Sequence, residues 1–138
     1  MILLDTNVVS EPMRPSADVT VLRWLNQHFP DCAISSIVVF ELMSGVGKLQ
    51  RGKRRQLLEH AAERIIQRFG SRTFQFDEPS ARAAAELLAS TRARGRTLQF
   101  ADVQIGGIAL AHGLTLATRN MRDFAGVGIK LVDPWSAK

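Results

Sequence analysis

Ile2-Leu3-Leu4-Asp5-Thr6-Asn7 is the stretch that decides the fold. Three apolar residues lead straight into a carboxylate, a hydroxyl and an amide. That pattern reads as a short buried strand that delivers polar side chains at its carboxyl end. Further short apolar runs follow at Cys32 to Ile34, Thr73 to Phe76, Leu114 to Ala117 and Ile129 to Val132, with helical spacing between them. Five such strands interleaved with helices specify an α/β fold, a parallel sheet covered on both faces. Ligands of such sheets bind beyond the carboxyl ends of the strands. Asp5 follows the first strand and Asn120 with Asp123 follows the fourth, so these side chains are expected on one rim.

The intervening segments predict helices. Val19 to Phe29 has Asp18 as its cap and Leu22, Leu25 and Phe29 on one face. Ser35 or Ser36 caps a helix that carries Ile37, Phe40, Glu41 and Leu42 and loosens near Gly45 and Gly47. Lys53 to Phe69 keeps helical spacing up to Gly70. Asp77 and Pro79 open a helix to about Arg94 with Ala81, Ala84, Ala85, Leu88 and Thr91 inward. A further helix runs from near Ala101 to Gly113, and a short helical turn is expected over Asn120 to Phe124.

The 138 residues, 46% hydrophobic and 22% charged, fit one globular domain spanning 1–138 and exclude a disordered or fibrous chain. The single cysteine, Cys32, has no internal disulfide partner and lies in an apolar stretch, which points to a buried small hydrophobe in a reducing compartment. No secretory signal precedes Asp5. The longest run without a charged side chain, the sixteen residues Val103 to Thr118, falls short of the roughly 18 to 20 that a membrane span needs. A soluble cytoplasmic protein is the expectation.

Charge is unevenly distributed. Residues 48–96 hold twelve basic and five acidic side chains, whereas the two ends hold six basic and eight acidic ones. A basic surface beside an acidic cluster suits a polyanion held by its phosphates and brought to a metal held by carboxylates, although a solvated basic helix face has the same composition.

The acids are the candidate chemistry. Asp5 is a ligand or an N-cap for the turn that follows it. Glu41 has Ile37, Val38, Ser44 and Gly45 as helical neighbours, so its carboxylate shares a face with core or cleft and needs a cationic partner. Asp102 repeats the pattern with Ile105, Gly106 and Ala109, or simply answers a helix dipole. With Asp123 as a fourth candidate, the set suggests a metal site. Oxygen donors without a His or Cys cluster select Mg²⁺ or Mn²⁺ over Zn²⁺. His28, His60 and His112 lack ligand spacing, and neither Gly45-x-Gly47 nor Gly106-Gly107 makes a convincing phosphate loop.

Taken in order, Asp5-Thr6-Asn7-Val8-Val9-Ser10-Glu11, Phe40-Glu41-Leu42 with Gly45, Arg51-Gly52-Lys53-Arg54-Arg55, Ala101-Asp102 with Ile105 and Ala109, Thr118-Arg119-Asn120 with Asp123-Phe124, and Asp133-Pro134-Trp135 resemble PIN-domain ribonucleases, and within them the VapC and FitB-like toxins. The resemblance covers nearly the whole chain. It implies an α/β/α sandwich with sheet order 3-2-1-4-5 and Mg²⁺- or Mn²⁺-dependent endonucleolytic cleavage of RNA. It further implies a homodimer neutralised by a cognate antitoxin, through which alone operator DNA would be bound. Asp5, Glu41 and Asp102 match the family's acidic triad, and Thr6 and Thr118 its accessory hydroxyls. Asn120 stands where the family often has an acid. Arg51, Lys53, Arg54 and Arg55 would hold the RNA backbone, with Arg64, Arg68 and Arg72 as further candidates.

Two other classes share some of these features. A phosphoacceptor receiver domain has acids at strand ends, but it needs a Lys after the fifth strand, where this chain has Asp133-Pro134-Trp135. A non-catalytic RNA- or antitoxin-binding module would keep the basic middle and has no need of all three triad acids.

Overall fold

The structure is a computed structural model and describes residues 1–137. Five parallel strands form one sheet: β1 (Ile2–Leu4), β2 (Cys32–Ser35), β3 (Thr73–Phe74), β4 (Thr115–Ala117) and β5 (Leu131–Val132), in the order β3-β2-β1-β4-β5. This is the α/β/α sandwich and strand order expected from the resemblance. The three central strands have no solvated face to mark with alternating polar residues, which is why their cores read as apolar runs: Leu3, Leu4, Cys32, Ala33, Ile34, Leu116 and Ala117 are all buried.

Topology places the site. The chain winds from β1 outward through β2 to β3, then returns to the other side of β1 for β4 and β5, so the sheet reverses direction between β1 and β4. Leu4 pairs with Ala117, and the Asp5 N–H continues the ladder to the Ala117 carbonyl at 2.9 Å. Asp5 and Thr118 thus leave adjacent strands at the switch point, where helices on opposite faces part and leave a crevice.

The helices are α1 (Thr6–Ser10), α2 (Val19–His28), α3 (Ser36–Gly47), α4 (Lys53–Phe69), α5 (Glu78–Ala93) and α6 (Phe100–His112), with 3-10 turns at Glu11–Met13, Phe29–Asp31 and Pro134–Ser136. Asp18, Ser35 and Asp77 cap α2, α3 and α5 by accepting backbone N–H groups. α6 ends at Gly113, which takes the left-handed conformation with φ 63°. α5 and α6 pack closely because α6 carries no side chain at the crossing: a Cβ on Gly107 would lie 2.6 Å from the Ala84 Cβ and 2.6 Å from the Ser80 carbonyl. Gly106 and Gly107 therefore serve packing.

Four expectations change. The inner face of α5 is Ser80, Ala84, Leu87 and Thr91, while Ala81 and Ala85 face solvent. The glycine pair on α6 draws in the small residues directly opposite, and alanine composition alone does not reveal that rotation. α2 turns Val21 and Trp24 to the core and leaves Leu22, Leu25 and Phe29 half-buried beside Ile65 and Phe69 of α4. Where a helical turn was expected over Asn120 to Phe124, residues 121–126 form turns. Backbone carbonyls at their end, Ala125 at 2.6 Å and Gly126 at 2.8 Å, accept from Arg96 and Arg94. β3 also ends at Phe74 and β5 begins at Leu131, shorter than the apolar runs that announced them.

Candidate active site

Asp5 is 5% exposed at the end of β1. Its Oδ1 accepts the Thr6 N–H at 2.6 Å, and its Oδ2 accepts the Thr118 hydroxyl at 2.8 Å. The capping role and the site role therefore fall on the same carboxylate. Thr118, itself buried, accepts the Asn120 N–H on its hydroxyl oxygen at 3.0 Å and so ties the turn after β4 to the end of β1. Glu41 projects from the middle of α3, where its Oε1 accepts the Thr6 hydroxyl. Both threonines thus hold acids in place.

Asp102 lies in the first turn of α6, half-buried. Burial, followed by the charges of Asp5, Glu41 and Asp123, pushes its carboxyl up to about 6, against a hydrogen bond from the Asn120 side chain that lowers it. Burial raises Asp5 as well, opposed by the Thr118 hydroxyl and the Thr6 N–H, with Glu41 adding to the rise. The fold therefore brings Asp5, Glu41 and Asp123, from three separate parts of the chain, within electrostatic reach of Asp102. Among the described residues, no three acid, imidazole or thiolate side chains stand in a geometry that holds a metal ion unaided. The donors are all oxygens, their charges repel, and that combination fits a hard divalent cation, which both neutralises such a cluster and draws it together.

The basic run is divided by the structure. Arg54 lines a groove of about 390 Å³ together with Thr6 and Glu41. Arg51, Lys53 and Arg54 are exposed in and after the turn between α3 and α4, and Arg55 donates to the Leu49 carbonyl at 3.2 Å, which braces that turn. Arg72 is committed elsewhere: its Nη1 donates to the Phe29 and Cys32 carbonyls at 2.6 and 2.7 Å, and its guanidinium covers the Phe29 ring. Arg68 also stacks over Phe29. Of the further arginine candidates, then, Arg72 serves the fold and Arg68 lies over the same ring, while Arg64 remains exposed on α4.

Two of the three histidines have structural partners. His28 stacks on Trp24 and shares a 2.9 Å hydrogen bond with its carbonyl, His112 pairs with Asp77 at 3.3 Å, and His60 is exposed. Cys32 is fully buried, and burial pushes its thiol up to about 11, which leaves it inert at neutral pH. One site residue escaped notice in the sequence. Arg14 lines the groove with Glu41 and is held by buried Glu11; the only sequence signal was an acid and a base three residues apart around Pro12.

A five-stranded parallel sheet in the order 3-2-1-4-5, with acids gathered at its switch point, defines the PIN class of α/β/α proteins. Residues 2–130 match the PIN domain family, and the chain belongs to it. Within it the chain stands with the toxins of VapBC and FitAB toxin–antitoxin systems. It is 41% identical to the plasmid stability protein StbB of Pseudomonas syringae pv. tomato, over 99% of this chain and 100% of that one. It is 38% identical to toxin FitB of Neisseria gonorrhoeae, over 98% and 99%, and 34% identical to VapC ribonuclease Y4jK of Sinorhizobium fredii, over 98% of each. The structure of FitAB bound to an IR36 DNA fragment superposes with a TM-score of 0.93 at 36% identity, covering 100% of this chain and 98% of that one. No described helix is long and apolar enough to cross a membrane.

Proposed function

We propose that this toxin is a Mg²⁺- or Mn²⁺-dependent endoribonuclease that cuts structured RNA, tRNA or rRNA, and thereby arrests translation. The observation that carries the proposal is the convergence of acids at the strand ends: Asp5, Glu41 and Asp123 lie close enough to half-buried Asp102 for their charges to add to the effect of its burial, and a groove with two arginines adjoins Glu41. Asp5, Glu41, Asp102 and Asp123 would hold the ion. When bound, a divalent cation there lowers the pKa of an attacking water and offsets charge on the phosphoryl oxygens. The protein's part is positional. Thr118 fixes Asp5, Thr6 fixes Glu41, and Asn120 steadies Asp102. Arg51, Lys53, Arg54 and Arg55 would supply cations along the path of the RNA backbone.

Attack by water leaves 5′-phosphate and 3′-hydroxyl ends, because the ribose 2′-hydroxyl takes no part. The toxin would act in the cytoplasm as a homodimer and meet operator DNA only through its antitoxin; the solved FitAB and VapBC assemblies bound to DNA support the part of this reading in which a cognate antitoxin binds the toxin. Sequencing the RNA ends made by antitoxin-free protein, with Mg²⁺ and with EDTA, tests the reading. Cleavage only with the metal, leaving 5′-phosphates, is expected. Activity in EDTA, or cyclic phosphate ends, would sink the metal mechanism, and no cleavage at all would favour a non-catalytic binding module.

A further inference from the structure

The chain leaves α1 through the 3-10 turn Glu11–Met13, and Pro12 makes that turn tight. Glu11 ends up 2% exposed. Burying a lone carboxylate is costly, and this one is fully partnered: both its oxygens accept from Arg14 Nη1, at 3.0 and 3.1 Å, and Oε1 also accepts the Asp18 N–H at 2.9 Å. The pair is lopsided. The Glu11 side chain is 3% exposed and that of Arg14 56%. Its negative charge is sealed in the protein while the guanidinium faces outward.

Arg14 and Arg54 line one groove together with Thr6, Glu41 and the apolar Leu42, Val46 and Leu58. Among the described residues, the side-chain hydrogen bonds of Arg14 run from Nη1 alone, so Nη2 and Nε remain for a ligand, and Arg54 has no acidic partner. Two guanidinium groups line one groove, one of them held by a buried carboxylate, and each offers the planar set of donors that suits phosphate oxygens.

We propose that Arg14, aimed by Glu11, and Arg54 form a phosphate subsite that grips the RNA backbone beside the bond to be cut. This rests on the ribonuclease reading above and adds to it the residues that set where the strand enters. Glu11 acts as a positioning residue. A solvated basic face would need no buried carboxylate to orient one of its members.

The test uses the full chain and three variants. Arg54→Gln breaks no bond within the protein. Arg14→Gln strands a buried charge, so the double variant Glu11→Gln with Arg14→Gln accompanies it, with melting temperature as the control for folding. On a short single-stranded RNA with Mg²⁺, KM is expected to rise roughly fivefold to tenfold in each variant with kcat nearly unchanged. In EDTA, the dependence of log Kd on log salt should flatten by about 0.7 for each phosphate that the variant no longer grips. Metal-free protein titrated with pyrophosphate should show the same weakening, which separates the subsite from RNA cleavage. If wild type cuts RNA but KM, salt slope and pyrophosphate affinity match in Arg54→Gln and the double variant, the subsite is overturned and the ribonuclease reading stands. If wild type cuts no RNA, that reading falls, and equal pyrophosphate binding by all forms overturns the subsite as well.

Discussion

The Thr118 hydroxyl donates to Asp5 Oδ2 at 2.8 Å across 113 positions of sequence. The same oxygen accepts the Asn120 N–H. One buried hydroxyl thus fixes the central acid and the start of the turn that carries Asn120 and Asp123.

Thr118→Val should therefore cost more than its size suggests. It leaves a buried carboxylate oxygen and a backbone N–H unpaired, which costs about 1–3 kcal/mol for a lost bond of this kind. Because that hydroxyl holds the Asp5 carboxyl down, its loss lets the carboxyl rise further. The acid limb of the pH–rate profile is expected to move to higher pH, alongside a lower urea midpoint. An unshifted limb in a folded variant would show that Asp5 does not govern that limb.

A second outcome concerns pH and stability in EDTA. Asp102 ionises at about 6 in the fold, against an ordinary value of 3.8. The folded state therefore binds the proton more tightly than the unfolded chain. The stability this contributes is complete below about pH 3.8 and is lost as pH rises through about 6. The full difference corresponds to roughly 3 kcal/mol, and solvent screening at a half-exposed carboxyl reduces it to about 1 kcal/mol. Asp102→Asn should match wild type near pH 4 and exceed it by about that amount at pH 7.5, as measured by urea unfolding. A variant less stable than wild type at both pH values would make Asp102 a structural residue.

How much of this was legible in the sequence depends on the kind of signal. The central strands were visible, short as they are, because burial on both faces leaves no place for a charge, as in Ile2–Leu4 and Cys32–Ser35. Asp5 was conspicuous as the first charge after such a run. The α5 face was misjudged because alanine is indifferent to exposure, and what turns Ser80 and Ala84 inward is two glycines on α6. The turns at 121–126 were hidden for a similar reason: their end is held by Arg94 and Arg96, about thirty residues earlier in the chain. The Glu11–Arg14 pair was passed over because an acid and a base at that spacing are usually a solvated pair, and only burial distinguishes this one.

The α5–α6 crossing gives a paired prediction. Gly107→Ala places a methyl 2.6 Å from a backbone oxygen and 2.8 Å from a backbone nitrogen; neither can yield without moving α5, and overpacking of this kind costs about 1–3 kcal/mol. Since α6 carries Asp102, cleavage should fall with stability. Gly45→Ala, in the interior of α3 with nothing within 4 Å of its new Cβ, should raise stability by roughly 0.5–1 kcal/mol. Thermal unfolding of both variants checks the contrast, and a Gly107→Ala protein as stable as wild type would mean that the two helices do not cross this closely.

Asn120 and Asp123 bring the last test to the segment that follows β4. Asp123 adds to the repulsion that raises Asp102, whereas Asn120 relieves it through a side-chain hydrogen bond. Replacing Asp123 by Asn removes one anionic donor from the cluster while keeping the side chain's shape, so Mn²⁺ affinity and cleavage should weaken together. Asn120→Asp exchanges a hydrogen bond to Asp102 for a further negative charge: without metal the cluster is more strained and the protein less stable, and with metal the added charge is offset, so activity persists and the ion binds more tightly. The backbone N–H of Asn120 still reaches Thr118 in either case, which keeps the turn in place. Calorimetric titration of Mn²⁺ into wild type and both variants decides the matter. Equal affinity for wild type and Asp123→Asn would restrict the site to Asp5, Glu41 and Asp102, with Asp123 reduced to shaping its own turn.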